Sequence, residues 1–260
     1  MPCAKYRRKN MVDDVDTTKK ILMPRPAVTL SYAQTLDGRL ATSTGSSRWI
    51  SARESLRFAH ELRAEHDAIM VGVGTVCEDD PRLTVRLATG RDPLRVVVDS
   101  TLRTPPTAAV LKEGAASGTV LAVNDRASVA KRNEVRALGA TVLCLPTSAG
   151  GRVDLIALLA ALHQRGVGSV LVEGGAQMIT ALLQARLVDR LVVCVAPKIL
   201  GAGVEAVGDL GIRQLARALL MTETSVTHYG IDLVLDGRIK YPGTPPMTVE
   251  NEVNARCVTV

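Results

Sequence analysis

Between residues 27 and 235, short runs of β-branched and aliphatic residues alternate with longer stretches of helical periodicity, and this alternation restricts the fold more than any other feature. The runs at 27–33, 68–73, 95–99, 120–123, 141–145, 169–173 and 190–196 are short and almost wholly apolar, the pattern of strands buried on both faces. Residues 128–138 and 154–165 read as helices that stop at Gly139 and Gly166, and 176–185 reads as another. A further helix is expected over 52–64, with Ser51 as N-cap and Glu54 three residues on in the capping-box arrangement. Segments 224–226 and 232–235 predict a terminal antiparallel pair. Strands and helices in alternation imply an α/β domain with a mostly parallel central sheet covered by helices on both faces. No repeat or linker divides residues 25–238, so a single domain is expected there. A mobile basic leader (1–24) is expected before it, and after it an irregular tail (239–260) interrupted by Pro242, Pro245 and Pro246.

Composition narrows the function. No apolar run reaches the roughly eighteen residues needed to span a bilayer, and the first twenty residues lack the apolar stretch of a secretory signal. A cytoplasmic chain without a membrane partner is expected. The net charge of +6 invites nucleic acid, but residues 1–25 hold seven Lys/Arg against three Asp, which leaves the body nearly neutral. With aromatics at 2%, stacking platforms are lacking too, so no nucleic-acid partner is expected. Five scattered cysteines without a C-x-x-C pair fit reduced thiols, and the four histidines show no ligand spacing with each other or with cysteine, so no metal is expected.

Three segments carry polar residues where chemistry takes place. In VLVEGGAQMITALL a buried strand ends in Glu173, Gly174 and Gly175 before a helix. The glycines either make a tight turn at positive φ or let a ligand approach the backbone, where the helix N-terminus offers free N–H donors to a phosphate. A carboxylate at a strand end, as at Glu173, suits a ligand hydroxyl or amine. In IMVGVGTVCEDDPRLTVR a strand runs into Gly72-x-Gly74-Thr75 and then a proline-bounded loop crowded by Asp79, Asp80, Arg82 and Arg86. Cys77 stands where a dinucleotide fingerprint requires its third glycine. That loop is either solvated by its own Asp–Arg pairs or part of a site. In LSYAQTLDGRLATSTGSSRWIS, Asp37 sits in a turn signal and reads as structural. Trp49, the only tryptophan, either flanks a flat ring or lids the core.

Taken in order, TLDGRLAT, SRWIS, HDAIMVGVGTVCEDDPRLTVR, PLRVVVDS, GRVDL, VLVEGGAQ and LVDRLVVCVAPKILG resemble the reductase domain of riboflavin biosynthesis. That domain occurs at the C-terminal end of the bacterial bifunctional deaminase/reductase and alone in archaea and fungi; the resemblance covers residues 25–237. It implies a dihydrofolate-reductase-like fold, a homodimer and an NADPH-dependent reduction that turns the ribosyl group of an aminopyrimidine ribosylamine 5′-phosphate into ribityl. By matching position it implies substrate contacts at Ser47, Arg63, Leu83, Arg86 and Glu173, with Glu173 also the catalytic residue. It implies cofactor contacts at Ala33, Trp49, Thr75, Asp79, Gly174, Gly175, Ala176, Gln177, Met178, Ile179, Thr180 and Ala181. For Arg63 a helix-surface salt bridge to Glu61 or Glu65 is the competing reading. No H-x-E with a P-C-x-x-C zinc signature is present, so a reductase without its deaminase is expected.

One position departs from the bacterial pattern. Ser31 stands where the bifunctional enzymes carry Lys, whereas archaeal and fungal relatives have a small polar residue there. Ser31 is therefore a further expected substrate contact. It favours the 2,5-diamino pyrimidinone substrate over its uracil counterpart, although Trp49 follows the bacterial pattern. A same-fold reductase of a pterin-like heterocycle and a regulator that has lost catalysis are the rival readings. The apolar stretch 191–196 is an expected contributor to a dimer interface.

Overall fold

The apolar runs form strands close to the expected places in the computed structural model, which describes residues 24–48, 50–112 and 114–243. In chain order the elements are β1 (Ala27–Thr35), β2 (Arg39–Thr42), α1 (Arg53–Glu65), β3 (Ala68–Gly72), α2 (Val73–Asp79), β4 (Leu94–Val98), β5 (Thr119–Val123), α3 (Val129–Ala137), β6 (Thr141–Cys144), α4 (Leu155–His163), β7 (Ser169–Glu173), α5 (Ala176–Gln184), β8 (Arg190–Ala196), β9 (Gly203–Glu205), β10 (Leu220–Tyr229) and β11 (Asp232–Lys240). Nine strands form one sheet in the order β10-β11-β8-β1-β7-β3-β4-β5-β6, while β2 and β9 pair separately. Strands β8 to β6 in that order are all parallel; β11 and β10 add an antiparallel margin. The expected α/β architecture with a mostly parallel sheet is therefore present.

Alternation along each strand divides the core between two faces. Leu30, Met70 and Val172 join α4 and α5 (Leu158, Leu159, Ile179, Leu182) on one side. Ile69, Val97 and Leu121 meet Val76 of α2 and Val135 of α3 on the other. Leu62 of α1 packs beside them on Leu171, Val192 and Val234. Helices thus cover both faces, and all five of β5's residues are buried.

Several local expectations need correction. The N-cap of α1 is Ala52, with no side-chain cap of its own, so Ser51 and Glu54 make no capping box. The buried Asp232 takes the role instead: its Oδ2 accepts from the Ala52 N–H at 2.6 Å and the Ser55 hydroxyl at 2.7 Å. After Gly72 the chain enters α2 at once rather than a glycine loop, which places Thr75 and Asp79 on a helix. Strands β10 and β11 are far longer than expected, with a bulge between Thr222 and Ser225. The boundary expected at residue 238 falls inside β11, and Tyr241 beyond it is buried, its hydroxyl bonded to the Val188 backbone. The stretch 191–196 is β8, flanked by β1 and β11 and largely buried within the chain, so it is not a free surface for a second copy. The leader's first 23 residues, Trp49 and the tail beyond residue 243 lie outside the described residues.

Candidate active site

A parallel sheet presents its ligand crevice at the carboxyl ends of its strands, where the backbone groups of the strand-to-helix turns are unpaired. Here a cleft of about 1720 Å³ lies along that edge. The ends of β1, β7, β3 and β4 supply Ser31 and Ala33, Glu173 and Gly174, Gly72, and Val98 and Asp99 to its walls.

At its centre Glu173 faces Arg63. Strand β7 ends at Glu173, which is the register partner of Ser31 on β1. Helix α1 packs on the same face and brings Arg63 across: Nε donates to Oε1 at 2.6 Å and Nη2 to Oε2 at 2.7 Å, while Nη1 donates to the Thr84 carbonyl at 3.1 Å. The two side chains are only 10% and 23% exposed, so water screens this fork-to-fork pair weakly. Burial opposes the Arg63 charge, but attraction and hydrogen bonding from Glu173 outweigh it and hold the guanidinium pKa above its ordinary value. The salt bridge to Glu61 or Glu65 is not formed; Glu61 pairs with Arg57. Each Glu173 oxygen keeps a second lone pair, so the carboxylate can still accept from a ligand.

The loop after α2 is organised by a residue that sequence reasoning passed over. His60 is 1% exposed, and its Nδ1 accepts from the Arg86 N–H at 3.0 Å, which fixes a neutral imidazole with its proton on Nε2. Burial, then Arg63 and Arg86, hold its pKa below 6.5. Leu83 adopts φ 54° and is 1% exposed, leaving its side chain to core packing. Arg86 is exposed and donates to the Thr84 hydroxyl; burial, Arg63 and Arg82 lower its pKa. Neither Leu83 nor Arg86 lines the cleft, whereas the exposed Ser47 does. Asp37 has the structural role expected of it, accepting from the Thr35 hydroxyl and the Leu200 and Gly201 N–H groups.

The far side of the cleft begins at α5. Helices α3 and α4 are capped by the side chains of Ser128 and Asp154, but α5 starts at Gly175 with no side-chain cap. Its first N–H groups therefore remain available to an anion. Gly175 has φ −79° and ψ 169°, which any residue adopts, so the positive-φ reading of this turn falls. A Cβ there would meet nothing within 4 Å, whereas one at Gly174 would press on Met178 Cβ at 3.2 Å. Gly174 serves close packing; Gly175 keeps the helix end open. Ala176, Gln177, Met178 and Ala181 line the cleft, as do Thr75 and Asp79 from α2. Ile179 is fully buried in the core, and the Thr180 hydroxyl bonds the Ala176 carbonyl and the Gly208 N–H; neither faces the cleft. Sequence reasoning also gave no role to Asp99, Ser100, Arg103 and Arg152, which extend the wall beyond β4. The available signal was Asp99, a carboxylate at a strand end like Glu173. Among the described residues no group of three or more His, Cys, Asp or Glu could hold a metal, and no helix is long and apolar enough to cross a membrane.

The family model of the RibD C-terminal domain matches residues 26–235. The riboflavin biosynthesis protein RibD of Aquifex aeolicus is 41% identical over 216 residues, which are 83% of this chain and 58% of that protein. The 2,5-diamino-6-ribosylamino-4(3H)-pyrimidinone 5′-phosphate reductase of Methanothermobacter thermautotrophicus is 43% identical over 222 residues, 83% of this chain and 99% of that protein. Among solved structures, RibD of Acinetobacter baumannii superposes with a TM-score of 0.72 at 29% identity, over 83% of this chain and 58% of that one. The chain thus spans little more than half of the RibD proteins it matches and nearly all of the archaeal reductase.

Proposed function

The chain belongs to the RibD C-terminal domain family, and from that premise we propose that it is an NADPH-dependent reductase of riboflavin biosynthesis. Its substrate on this reading is 2,5-diamino-6-ribosylamino-4(3H)-pyrimidinone 5′-phosphate, whose ribosyl group it reduces to ribityl. The observation that carries the reading is a single cleft with the Arg63–Glu173 pair beside Ser31 in its middle and the uncapped, unobstructed start of α5 along its wall. The near-complete overlap with an archaeal protein named as that reductase supports it.

The glycine-edged start of α5 fits a dinucleotide's phosphates, because nothing competes for its N–H groups. The reduced nicotinamide would supply the hydride that reaches C1′ of the opened, imine form of the sugar. Glu173, held by Arg63 on two oxygens, accepts from a ribose hydroxyl or ring amine and orients the sugar. Arg86 lies outside the cleft wall but close enough to Arg63 and Glu173 to feel their charges, and its exposed guanidinium would supply a fork for a sugar phosphate that extends beyond that wall. Ser31 meets the ring with a hydroxyl that donates or accepts, which tolerates a 2-amino group better than an ammonium whose donors would oppose it. The chain acts as a cytoplasmic homodimer that takes neither nucleic acid nor membrane as partner.

Steady-state nicotinamide oxidation with the diamino substrate and with 5-amino-6-(5-phosphoribosylamino)uracil tests the reading. A higher kcat/KM for the diamino form is expected, and Ser31→Lys shifts the ratio towards the uracil form. Preference for uracil in the unaltered chain would overturn the substrate assignment, and oxidation with neither would overturn the reductase. Arg86→Ala raises KM strongly for the phosphorylated substrate and little for its dephosphorylated form; an equal effect on both would remove Arg86 from the phosphate.

A further inference from the structure

Helix α1 covers the sheet with one set of side chains and fastens a loop with another. Residues 80–93, between α2 and β4, form neither helix nor strand. Arg63 Nη1 donates to the Thr84 carbonyl at 3.1 Å, and His60 Nδ1 accepts from the Arg86 N–H at 3.0 Å. The two side chains are three residues apart on the helix and therefore neighbours on its surface. Further along, Arg91 pairs with Asp67 just past the helix end. Gly90 passes so near the helix that a Cβ there would come within 2.5 Å of the Ala64 Cβ.

The position of the Arg86 charge follows from this fastening. Its guanidinium bonds only to the Thr84 hydroxyl and carbonyl among the described residues, and Thr84 belongs to the same loop. Three side chains hold the backbone there: Arg63 at Thr84, Asp92 Oδ1 at the Val85 N–H at 2.7 Å, and His60 at Arg86. Of these residue types, the imidazole is the one that exchanges an acceptor for a donor between about pH 5 and pH 8.

A proton on Nδ1 makes that nitrogen a donor facing the Arg86 N–H, and neither group then has an acceptor. With His60 only 1% exposed, water does not replace the lost bond. Burial opposes the proton first, then Arg63 on α1 and Arg86 on the loop, while Glu173 on β7 and the Thr84 carbonyl favour it. At neutral pH the balance keeps the ring neutral and the loop fastened.

We propose that His60 is a positioning residue whose Nδ1, by accepting the Arg86 N–H, sets the Arg86 guanidinium for a sugar phosphate, and that a proton on Nδ1 releases it. Affinity for the phosphate then falls as the pH falls. The assignment rests on the reading of Arg86 given above. Asparagine offers its Oδ1 where the imidazole offers Nδ1 but does not titrate, whereas leucine offers no acceptor.

Calorimetric titration with ribose 5-phosphate, and with ribose as the uncharged control, tests this without cofactor or turnover. The phosphate itself takes up a proton near pH 6, so the readout is the Kd of the unaltered chain divided by that of His60→Asn, in which this effect cancels. From about pH 7.5 to about pH 5 that ratio should rise severalfold for ribose 5-phosphate and stay level for ribose. At about pH 7.5, His60→Leu should weaken ribose 5-phosphate roughly fivefold to tenfold, the order set by one N–H without its acceptor. His60→Asn should recover most of that loss. In the unaltered, ligand-free chain the Arg86 amide resonance should move with the His60 imidazole along one titration curve, a readout that needs no variant to fold. A ratio that stays level for the phosphate, a His60→Asn chain as impaired as His60→Leu, an Arg86 amide indifferent to the imidazole, or ribose 5-phosphate bound no tighter than ribose would each overturn the proposal. If the pyrimidine is reduced and the ratio stays level, this proposal fails alone; if the phosphate behaves as expected and no pyrimidine is reduced, the reductase reading fails while this one stands.

Discussion

Arg63 and Glu173 act as one unit, and their burial sets the consequence of breaking it. Removing one partner of a poorly solvated pair leaves a charge without compensation, whereas removing both leaves none. With side chains 10% and 23% exposed, Glu173→Ala should lower stability in urea by about 2–3 kcal/mol. The double change Arg63→Met with Glu173→Leu should cost less than the two single losses together. Additive losses would show that the pair contributes no coupling. The neighbouring His60 makes stability depend on pH. Because burial and two arginines depress its pKa below 6.5, the folded chain binds fewer protons here than the unfolded chain. The contribution is therefore complete above about pH 6.5 and declines as the pH falls through the lower folded value. Protonation would also remove the acceptor that holds the Arg86 N–H. Stability should fall between about pH 7.5 and about pH 5.5 more in the unaltered chain than in His60→Gln. Parallel curves would show that the imidazole does not titrate in this window.

At the scale of elements, two helix starts behave in opposite ways. The start of α1 is closed by Asp232, so Asp232→Ala leaves the Ala52 N–H and the Ser55 hydroxyl without their acceptor and should cost about 1–3 kcal/mol. The start of α5 is open, and Gly175→Val places a side chain in empty space at a backbone conformation valine adopts. Folding should change little, while NADPH binding followed by cofactor fluorescence should weaken at least tenfold, about 1.4 kcal/mol. Unchanged binding would remove the phosphates from this helix end. The same contrast explains what could be read from the residues alone. Strands β7 and β8 were legible to the residue because burial on both faces writes an unbroken apolar run, and the starts of α3 and α4 were legible to within one residue, although Ser128 and Asp154, read as their first helical residues, are instead the N-caps that bond two or three residues ahead. The cap of α1 comes from 180 residues away, and Arg63 meets Glu173 across 110, so neither leaves a local signal. The two short strands β2 and β9 are defined by each other rather than by pattern. Helix α2 is seven residues long, with Gly72 as its N-cap and Gly74 in its first turn, and these glycines mask its start. Matched motifs picked out Glu173, Gly174 and Gly175 at the cleft, but they could not tell that Leu83, Ile179 and Thr180 turn their side chains to other duties.

For the molecule as a whole, the cleft is where the two covered faces of the sheet meet. Helix α5 belongs to the core on one face, α2 and α1 to the clusters on the other, and all three contribute to the same walls. A ligand lying along the cleft would therefore touch elements of every core cluster, and its binding would oppose unfolding of the whole domain rather than fraying of one loop. For a ligand that binds only the folded chain, a concentration one hundred times Kd adds about 2.7 kcal/mol. A domain of this size gains roughly 2–4 °C in Tm per kcal/mol, so NADP⁺ at that excess should raise Tm by about 5–10 °C. Scanning calorimetry checks this at the scale of the whole domain: a single transition that moves upward as one with NADP⁺ is expected, and no shift at that excess would remove the cofactor from the cleft altogether.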